Sequence, residues 1–307
     1  MNHYWAYGLG IQSALLLPEL VPVARVQVDV VIRLGRVVHP ESDPCSPGSC
    51  FHLTGREAFF FWDGIGSFMV RDGVDITIEP SPDVDQRLIR LPLLGTILAV
   101  LLHQRGLMVL HGSAVAVGNE VVAFIGPKGR GKSTTAAMLH GRGHRLMADD
   151  IVAVRIREGH DPEVIPGFPQ FKLWPEAAAC LLGKESETLP HLVSGYDKRS
   201  RRLGDDFSPT PVRLGSIYAL AEGPTLRLTP LAPQDALIQL IANTYVARFG
   251  KQLLKAENAR AHLEHCTNVA GQVPVYRLDR PNSLAVLAAT AQMIEDHISS
   301  DPEVAVV

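Results

Sequence analysis

One stretch of eight residues constrains this chain more than any other: Gly126-Pro127-Lys128-Gly129-Arg130-Gly131-Lys132-Ser133. It fits G-x-x-x-x-G-K-[ST], the phosphate-loop pattern, and its surroundings are those the pattern needs. The apolar run at 121–125 predicts a strand before it, and 133–140 predicts a helix after it. Three glycines let backbone N–H groups turn inward around phosphate oxygens. The helix N-terminus adds partial positive charge. Lys132 is expected to reach the β- and γ-phosphates, and the Ser133 hydroxyl to bind Mg²⁺. Gly126, Lys128, Gly129, Arg130, Gly131, Lys132, Ser133 and Thr134 are therefore the candidate nucleotide-binding residues, with ATP and Mg²⁺ as expected cofactors. The rival reading is a glycine-rich turn with an exposed lysine.

What accompanies the loop narrows the class. The chain has no Asn-Lys-x-Asp element of the kind GTPases use to read guanine, and no Leu-Ser-Gly-Gly-Gln signature of transporter ATPases. Instead, Gly143-His144-Arg145-Leu146-Met147-Ala148-Asp149-Asp150 follows the loop's helix. A short apolar strand ends there in two adjacent carboxylates. One can hold Mg²⁺ opposite Ser133, and the other can accept a proton from an acceptor hydroxyl. Adjacent like charges also move apart in pKa, which suits one as base. Residue chemistry alone does not say which is which, and an Asp-Asp pair in isolation is a solvated turn.

Composition excludes other classes. With 29 Lys+Arg against 32 Asp+Glu, the net charge of −3 rules out a globally basic nucleic-acid binder. At 46% hydrophobic and 20% charged, the 307 residues are expected to fold, with length enough for two domains. Four cysteines make no disulfide scaffold. The apolar run at 91–102 carries Pro92 and Gly95 and is shorter than the roughly 20 residues a bilayer requires. No Lys or Arg precedes Arg25, so no secretory signal is read. The expectation is a cytoplasmic protein with no membrane or nucleic-acid partner.

The first third reads as β. Val26, Val28 and Val30 alternate with polar residues, 58–62 is apolar and aromatic, and Val74, Ile76 and Ile78 alternate up to Pro80. Residues 39–50, rich in Pro, Ser and Gly, predict a loop, and 80–83 a linker. A helix is expected over 88–104, with Pro92 in its first turn or kinking it. Short strands follow near 109–110 and 114–117, with a hairpin turn at Gly118-Asn119. Strands and helices then alternate. One helix starts at Pro233, with Leu237, Leu240, Ile241 and Tyr245 on one face. Another, capped by Asn282 or Ser283, runs to about His297.

At this point the motifs resemble a known family. His111-Gly112-Ser113, the loop at 126–133, and Gly143-His144-Arg145-Leu146 with Ala148-Asp149-Asp150 are similar to the catalytic domain of bacterial HPr kinase/phosphorylase. That family shares its P-loop fold with ATP-dependent phosphoenolpyruvate carboxykinase. The resemblance is strong over about 109–154. It implies an α/β P-loop kinase domain at 86–307 behind a small β-rich domain at 1–85. It also implies His111 beside the transferring phosphoryl group, Asp149 as general base, and Asp150 as Mg²⁺ ligand with Ser133. Lys132 completes the catalytic set.

There are departures. HPr kinases carry a metal-holding Glu in a Leu-Glu-x-Arg-Gly-like segment after the Asp pair. Here 164–175 reads Val-Ile-Pro-Gly-Phe-Pro-Gln-Phe-Lys-Leu-Trp-Pro, without a Glu. That segment looks like the branch of HPr-kinase-related proteins that includes lasso-peptide kinases. A peptide or protein Ser is then the expected acceptor. HPr itself, a small hydroxylated metabolite, and a non-catalytic nucleotide sensor are the rivals. The family's hexamers make a homo-oligomer compatible with the resemblance.

Weaker signals remain. Tyr196-Asp197-Lys198-Arg199-Ser200-Arg201-Arg202 reads either as a solvated loop or as a lid bringing Lys198 and Arg199 to the γ-phosphate. Lys172 and Trp174 sit among prolines, with core packing the default for Trp174 and a peptide-docking edge the alternative. Cys45, Cys50 and His52 invite zinc but lack a fourth ligand. Cys180 and Cys266 read as buried small apolar residues.

Overall fold

The computed structural model describes residues 1–40, 48–54, 56–193, 196–204, 207–249 and 258–300. Its backbone contacts divide the chain into two compact units, Met1–Val109 with Thr244–His265, and Leu110–Asn243 with Cys266–Val307. Both are built on sheets, and helices accompany them, so the fold class is mixed α/β.

The first unit carries an eight-stranded sheet. Its order is Val21–Pro22, Asn2–Ala6, Leu9–Ser13, Val30–Leu34, Asp75–Pro80, Gly66–Arg71, Glu57–Trp62 and Ser49–Leu53. The aromatic strand and the alternating strand before Pro80 are where their side-chain periods predict. The strand expected around Val26 and Val28 begins only at Val30. Asp29 explains the shift: its carboxylate accepts the Gly10 N–H at 2.8 Å, and its own N–H donates to Gly10 O. That clasp accompanies Val26 and Gln27 lying against Gly10 in an irregular connection.

The helix expected over 88–104 starts at Gln86 and has three parts. An α-helix, Gln86–Pro92, is capped by Asp85, whose side chain accepts the Arg87 N–H. A π-helical turn, Leu93–Ile97, follows at once, and an α-helix, Leu98–Gln104, ends the stretch. Pro92 lacks the N–H that would bond back one turn and crowds the preceding carbonyl, and a wider turn absorbs the misfit. Over its whole length, Gln86–Gln104 is long and apolar enough to cross a membrane by length and composition. Its apolar side chains from Leu98 to Leu102 are buried inside the protein.

Cys45 lies outside the described residues, and Cys50 is disulfide-bonded, which removes its thiolate from metal binding. Cys180 is exposed, against expectation, whereas Cys266 is buried and its thiol is pushed up to about 12 by that burial.

In the second unit, Arg145–Asp149, Gly112–Val117, Glu120–Ile125 and Val212–Glu222 lie side by side in that order. Val212–Glu222 is the spine. It runs parallel to Glu120–Ile125 on one side and to Val275–Arg280 on the other. Gly118 turns the hairpin at φ 60°, with Val117 opposite Glu120. Helices Lys132–Gly141 and Leu287–Ser299 cover the sheet. Ala136, Leu139, Ala291 and Ile294 share one buried cluster with Val122, Phe124 and Tyr218. Ser283 caps the short turn that opens the last helix by accepting the Ala285 N–H. The helix at Pro233 runs to Asn243 and buries Ala236 and Leu240, with Tyr245 past its end. A separate three-stranded sheet pairs Gln170–Leu173, Tyr196–Arg202 and His191–Val193.

Candidate active site

The strand Glu120–Ile125 delivers the chain into the glycine-rich loop, and helix Lys132–Gly141 leaves it. All three loop glycines adopt the left-handed φ range: 139° at Gly126, 87° at Gly129 and 80° at Gly131. A Cβ at two of them would also meet a neighbour too closely unless that neighbour moved. A Cβ on Gly126 would lie 2.9 Å from Leu220 O, and one on Gly131 would lie 2.1 Å from Arg280 Nη2. Lys132 is buried at 7% exposure and folds back over the loop, its ammonium donating to Gly126 O at 2.7 Å and Pro127 O at 3.1 Å. Those carbonyls give the ammonium oxygen partners of the kind phosphate offers. Thr135 fastens the helix start by donating to Gly131 O at 2.9 Å. Thr134 is buried, Ser133 half-buried and Lys128 exposed.

Strand register gathers the rest of the site. Gly112–Val117 runs antiparallel to both Glu120–Ile125 and Arg145–Asp149, with Ser113 opposite Phe124 on one side and Asp149 on the other. The two flanking strands therefore run the same way and end at the same sheet edge, two strand spacings or roughly 10 Å apart. His111, just before Gly112, stands at that edge too.

The two carboxylates have different surroundings. Asp149 is 5% exposed and fully engaged: Oδ1 accepts the Ser113 hydroxyl at 2.7 Å, and Oδ2 accepts the Lys172 backbone N–H at 2.9 Å. Asp150 turns out of the strand at φ 74°, a left-handed conformation that Asp tolerates better than most residues. Its Oδ2 lies 3.1 Å from Lys172 Nζ and its Oδ1 3.3 Å from His111 Nδ1. Burial alone would raise the Asp150 carboxyl, but the Lys172 ammonium and His111 outweigh it and hold it well below the usual range. Asp150 is thus firmly ionised, which makes it a good cation ligand and a weak base. Lys172 engages both acids, one through its backbone and one through its ammonium.

Three anchors carry roles that the motifs do not assign: Ser113, within the His111-Gly112-Ser113 motif, as a hydrogen-bond donor, and, outside the motifs, Lys172 as an ion-pair partner and Arg280. Arg280 ends the strand Val275–Arg280 and donates from Nη2 to Arg130 O at 2.9 Å. Its one sequence signal is its place at the end of an alternating strand, where open α/β sheets bind ligands. Arg130 points elsewhere, forming an ion pair with Glu222 at the end of the spine strand.

The basic run is a strand rather than a loop. Lys198 sits with its ammonium 5.5 Å from the Trp174 ring centroid, and Arg199 donates to Leu189 O at 3.3 Å. No described contact joins either to the loop. Trp174 is 40% exposed, not core. Among the described residues, no group of three or more His, Cys, Asp or Glu is arranged as a metal cage. A Mg²⁺ ion here would need oxygens from the nucleotide as well as from the protein, as is usual for this ion. The residues present fit Mg-ATP: a cradle of left-handed glycines, a buried lysine, a helix N-terminus and an ionised aspartate at the same edge.

No family model matches the chain. Curated proteins named HPr kinase/phosphorylase do align with it. That of Caldanaerobacter subterraneus subsp. tengcongensis is 41% identical over 68 residues, covering 20% of this chain and 22% of its own length. That of Bacillus pumilus is 46% identical over 61 residues, covering 18% and 20%. The alignments span about a fifth of those relatives. Among solved structures, the HPr(Ser) kinase/phosphatase from Coxiella burnetii is 12% identical with a TM-score of 0.31, covering 62% of this chain and 95% of that one. Over the part of its length that aligns with these curated relatives, the chain is HPr-kinase-like.

Proposed function

We propose that this protein is an ATP- and Mg²⁺-dependent kinase that transfers the γ-phosphoryl group to a hydroxyl, a Ser of a peptide or protein. The observation that carries the proposal is the shared sheet edge, where the glycine-rich loop ends one strand, the Asp149-Asp150 pair ends another, and His111 precedes the strand between them. Bound Mg-ATP supplies the phosphoryl group and a divalent counter-charge. Lys132, now on its own loop's carbonyls, exchanges them for β- and γ-phosphate oxygens. Ser133 and ionised Asp150 hold the cation. Asp149, fixed from two sides, takes the proton of the acceptor hydroxyl, a weak nucleophile that needs a base in line. His111 stands beside the phosphoryl group.

Acceptor choice lies in the surroundings. Where the family resemblance expects a metal-holding Glu, this chain has Lys172 on Asp150. One carboxylate fewer and one cation more supports a site adapted away from phosphorolysis and toward another acceptor. The exposed Trp174 and the strand Gln170–Leu173 beside it supply an edge for an extended peptide. The names of the curated relatives favour a second reading, in which HPr is the acceptor. Labelled ATP offered with purified HPr and with candidate peptides in parallel separates the two. Transfer to peptide Ser supports the first reading, transfer to HPr alone supports the second, and binding without transfer to either leaves a nucleotide sensor.

A further inference from the structure

We propose that Arg280 is a phosphate-binding cation of the nucleotide site, whose counter-charge is the bound polyphosphate itself. The inference rests on the reading of residues 126–133 as a nucleotide loop. Arg280 is 8% exposed, yet among the described residues the one hydrogen bond of its side chain is to a neutral carbonyl, Arg130 O. A guanidinium carries five N–H donors. Among the described residues no carboxylate pairs with it. The nearby acids are taken: Glu222, its partner across the parallel strands, binds Arg130, and Asp279 binds Arg277. A buried unpaired charge is costly, and burial already lowers the Arg280 pKa. Such a group belongs where an anion arrives.

Its place agrees with its chemistry. Val275–Arg280 and Glu120–Ile125 both run parallel to Val212–Glu222, so Arg280 stands at the strand-end edge from which the loop departs. A Cβ on Gly131 would lie 2.1 Å from its Nη2, so the absence of a side chain at 131 leaves room for the guanidinium to sit against the loop. By holding Arg130 O, it also fixes the Arg130–Gly131 peptide, whose N–H points to the opposite side of that planar unit. One residue therefore orients a loop donor and brings a positive charge to it.

The test compares wild type with Arg280→Gln, Arg280→Lys and Lys132→Ala by calorimetric titration with MgATP, MgADP and AMP, alongside thermal melts without ligand. Arg280→Gln keeps a donor for Arg130 O but loses the charge. It is expected to weaken MgATP about tenfold, with a smaller loss for MgADP and the smallest for AMP. Its ligand-free melting temperature should equal or exceed that of wild type, because an unpaired buried charge has gone. Arg280→Lys should bind MgATP better than Arg280→Gln. Wild-type affinity in Arg280→Gln, with Lys132→Ala impaired, overturns the role of Arg280 alone. A lowered ligand-free melting temperature in Arg280→Gln makes the residue a structural strut and also overturns it. Failure of the wild type to bind any of the three ligands removes the nucleotide reading and this one together.

Discussion

Replacing the adjacent aspartates one at a time tests the division of labour between them. Asn is nearly isosteric with Asp, so packing stays constant. At position 149, Lys172 N–H can only donate, so the Asn oxygen must face it. The Asn NH₂ then faces Ser113 Oγ, which can rotate to accept. Both contacts, now 2.7 and 2.9 Å, survive in neutral form. The loss is the charge-assisted part, about 1–2 kcal/mol of stability. Chemistry suffers more: removal of a general base lowers turnover by roughly 10²–10⁴-fold, with MgATP affinity nearly unchanged. At position 150, φ 74° suits Asn as well as Asp, so the backbone is not the issue. Asp150→Asn instead strips the Lys172 ammonium and His111 of their anionic partner. It is expected to weaken MgATP about tenfold and to raise the Mg²⁺ concentration needed for half-maximal binding. The assay is calorimetry for binding, and labelled-phosphate transfer to whichever of HPr or peptide the wild type phosphorylates. Full transfer by Asp149→Asn, or wild-type Mg²⁺ dependence in Asp150→Asn, would refute the assignment.

Other outcomes follow from single groups. Lys132→Ala should weaken a fluorescent ATP analogue about a hundredfold, since the loop loses its buried ammonium; equal affinities would make the loop a structural turn. Ser113→Ala leaves Asp149 Oδ1 without its buried donor and should cost about 1–3 kcal/mol, read as a lower urea midpoint at pH 7. His103 carries a buried Nε2 that has no hydrogen-bond partner among the described residues, and burial first, then His262 and His265, push it down to about 4. It is neutral when folded and titrates near 6.5 unfolded, so its contribution is complete above pH 6.5 and is lost as pH falls toward 4, by about 3 kcal/mol. The urea midpoint of His103→Leu should drop less between pH 7 and 4.5 than that of wild type, and equal drops would count against this origin.

The legible parts of the fold are those whose side-chain period is local. The hairpin at Gly118, the strand into the loop and the helix out of it repeat their sequence pattern directly. Elements fixed by distant contacts are less readable. Val26 and Val28 alternate like a strand, but Asp29 binds Gly10 instead of a ladder. The helix Asn258–Gln272 escapes an apolar-period reading because polar and small residues carry much of its sequence. Its buried positions include His262, Cys266 and Val269, at helical spacing but with a histidine in the stripe. The basic run 196–202 looks like a loop by charge, yet pairs along Gln170–Leu173, where Phe171 and Leu173 supply the buried face.

The site divides along the same line. Its loop and its acid pair are contiguous in sequence, and contiguity makes a motif. Their geometry depends on single residues brought by other strands: Ser113 on Asp149, Lys172 on both acids, Arg280 on the loop backbone. Ser113 closes the His111-Gly112-Ser113 motif, but neither Lys172 nor Arg280 sits in a pattern of its own. Ser113 follows from sheet register, opposite Asp149 across the ladder, whereas Lys172 comes from a separate three-stranded sheet and Arg280 from a strand beyond the spine. Lys172 shows the consequence for function. A cation against Asp150 changes how much negative charge the site offers to metal and phosphate, without altering one residue of the motifs. Chains with the same loop and the same acid pair can therefore differ in acceptor and in reversibility. The strand Gln170–Leu173, rather than the motifs before it, is where that difference is to be sought.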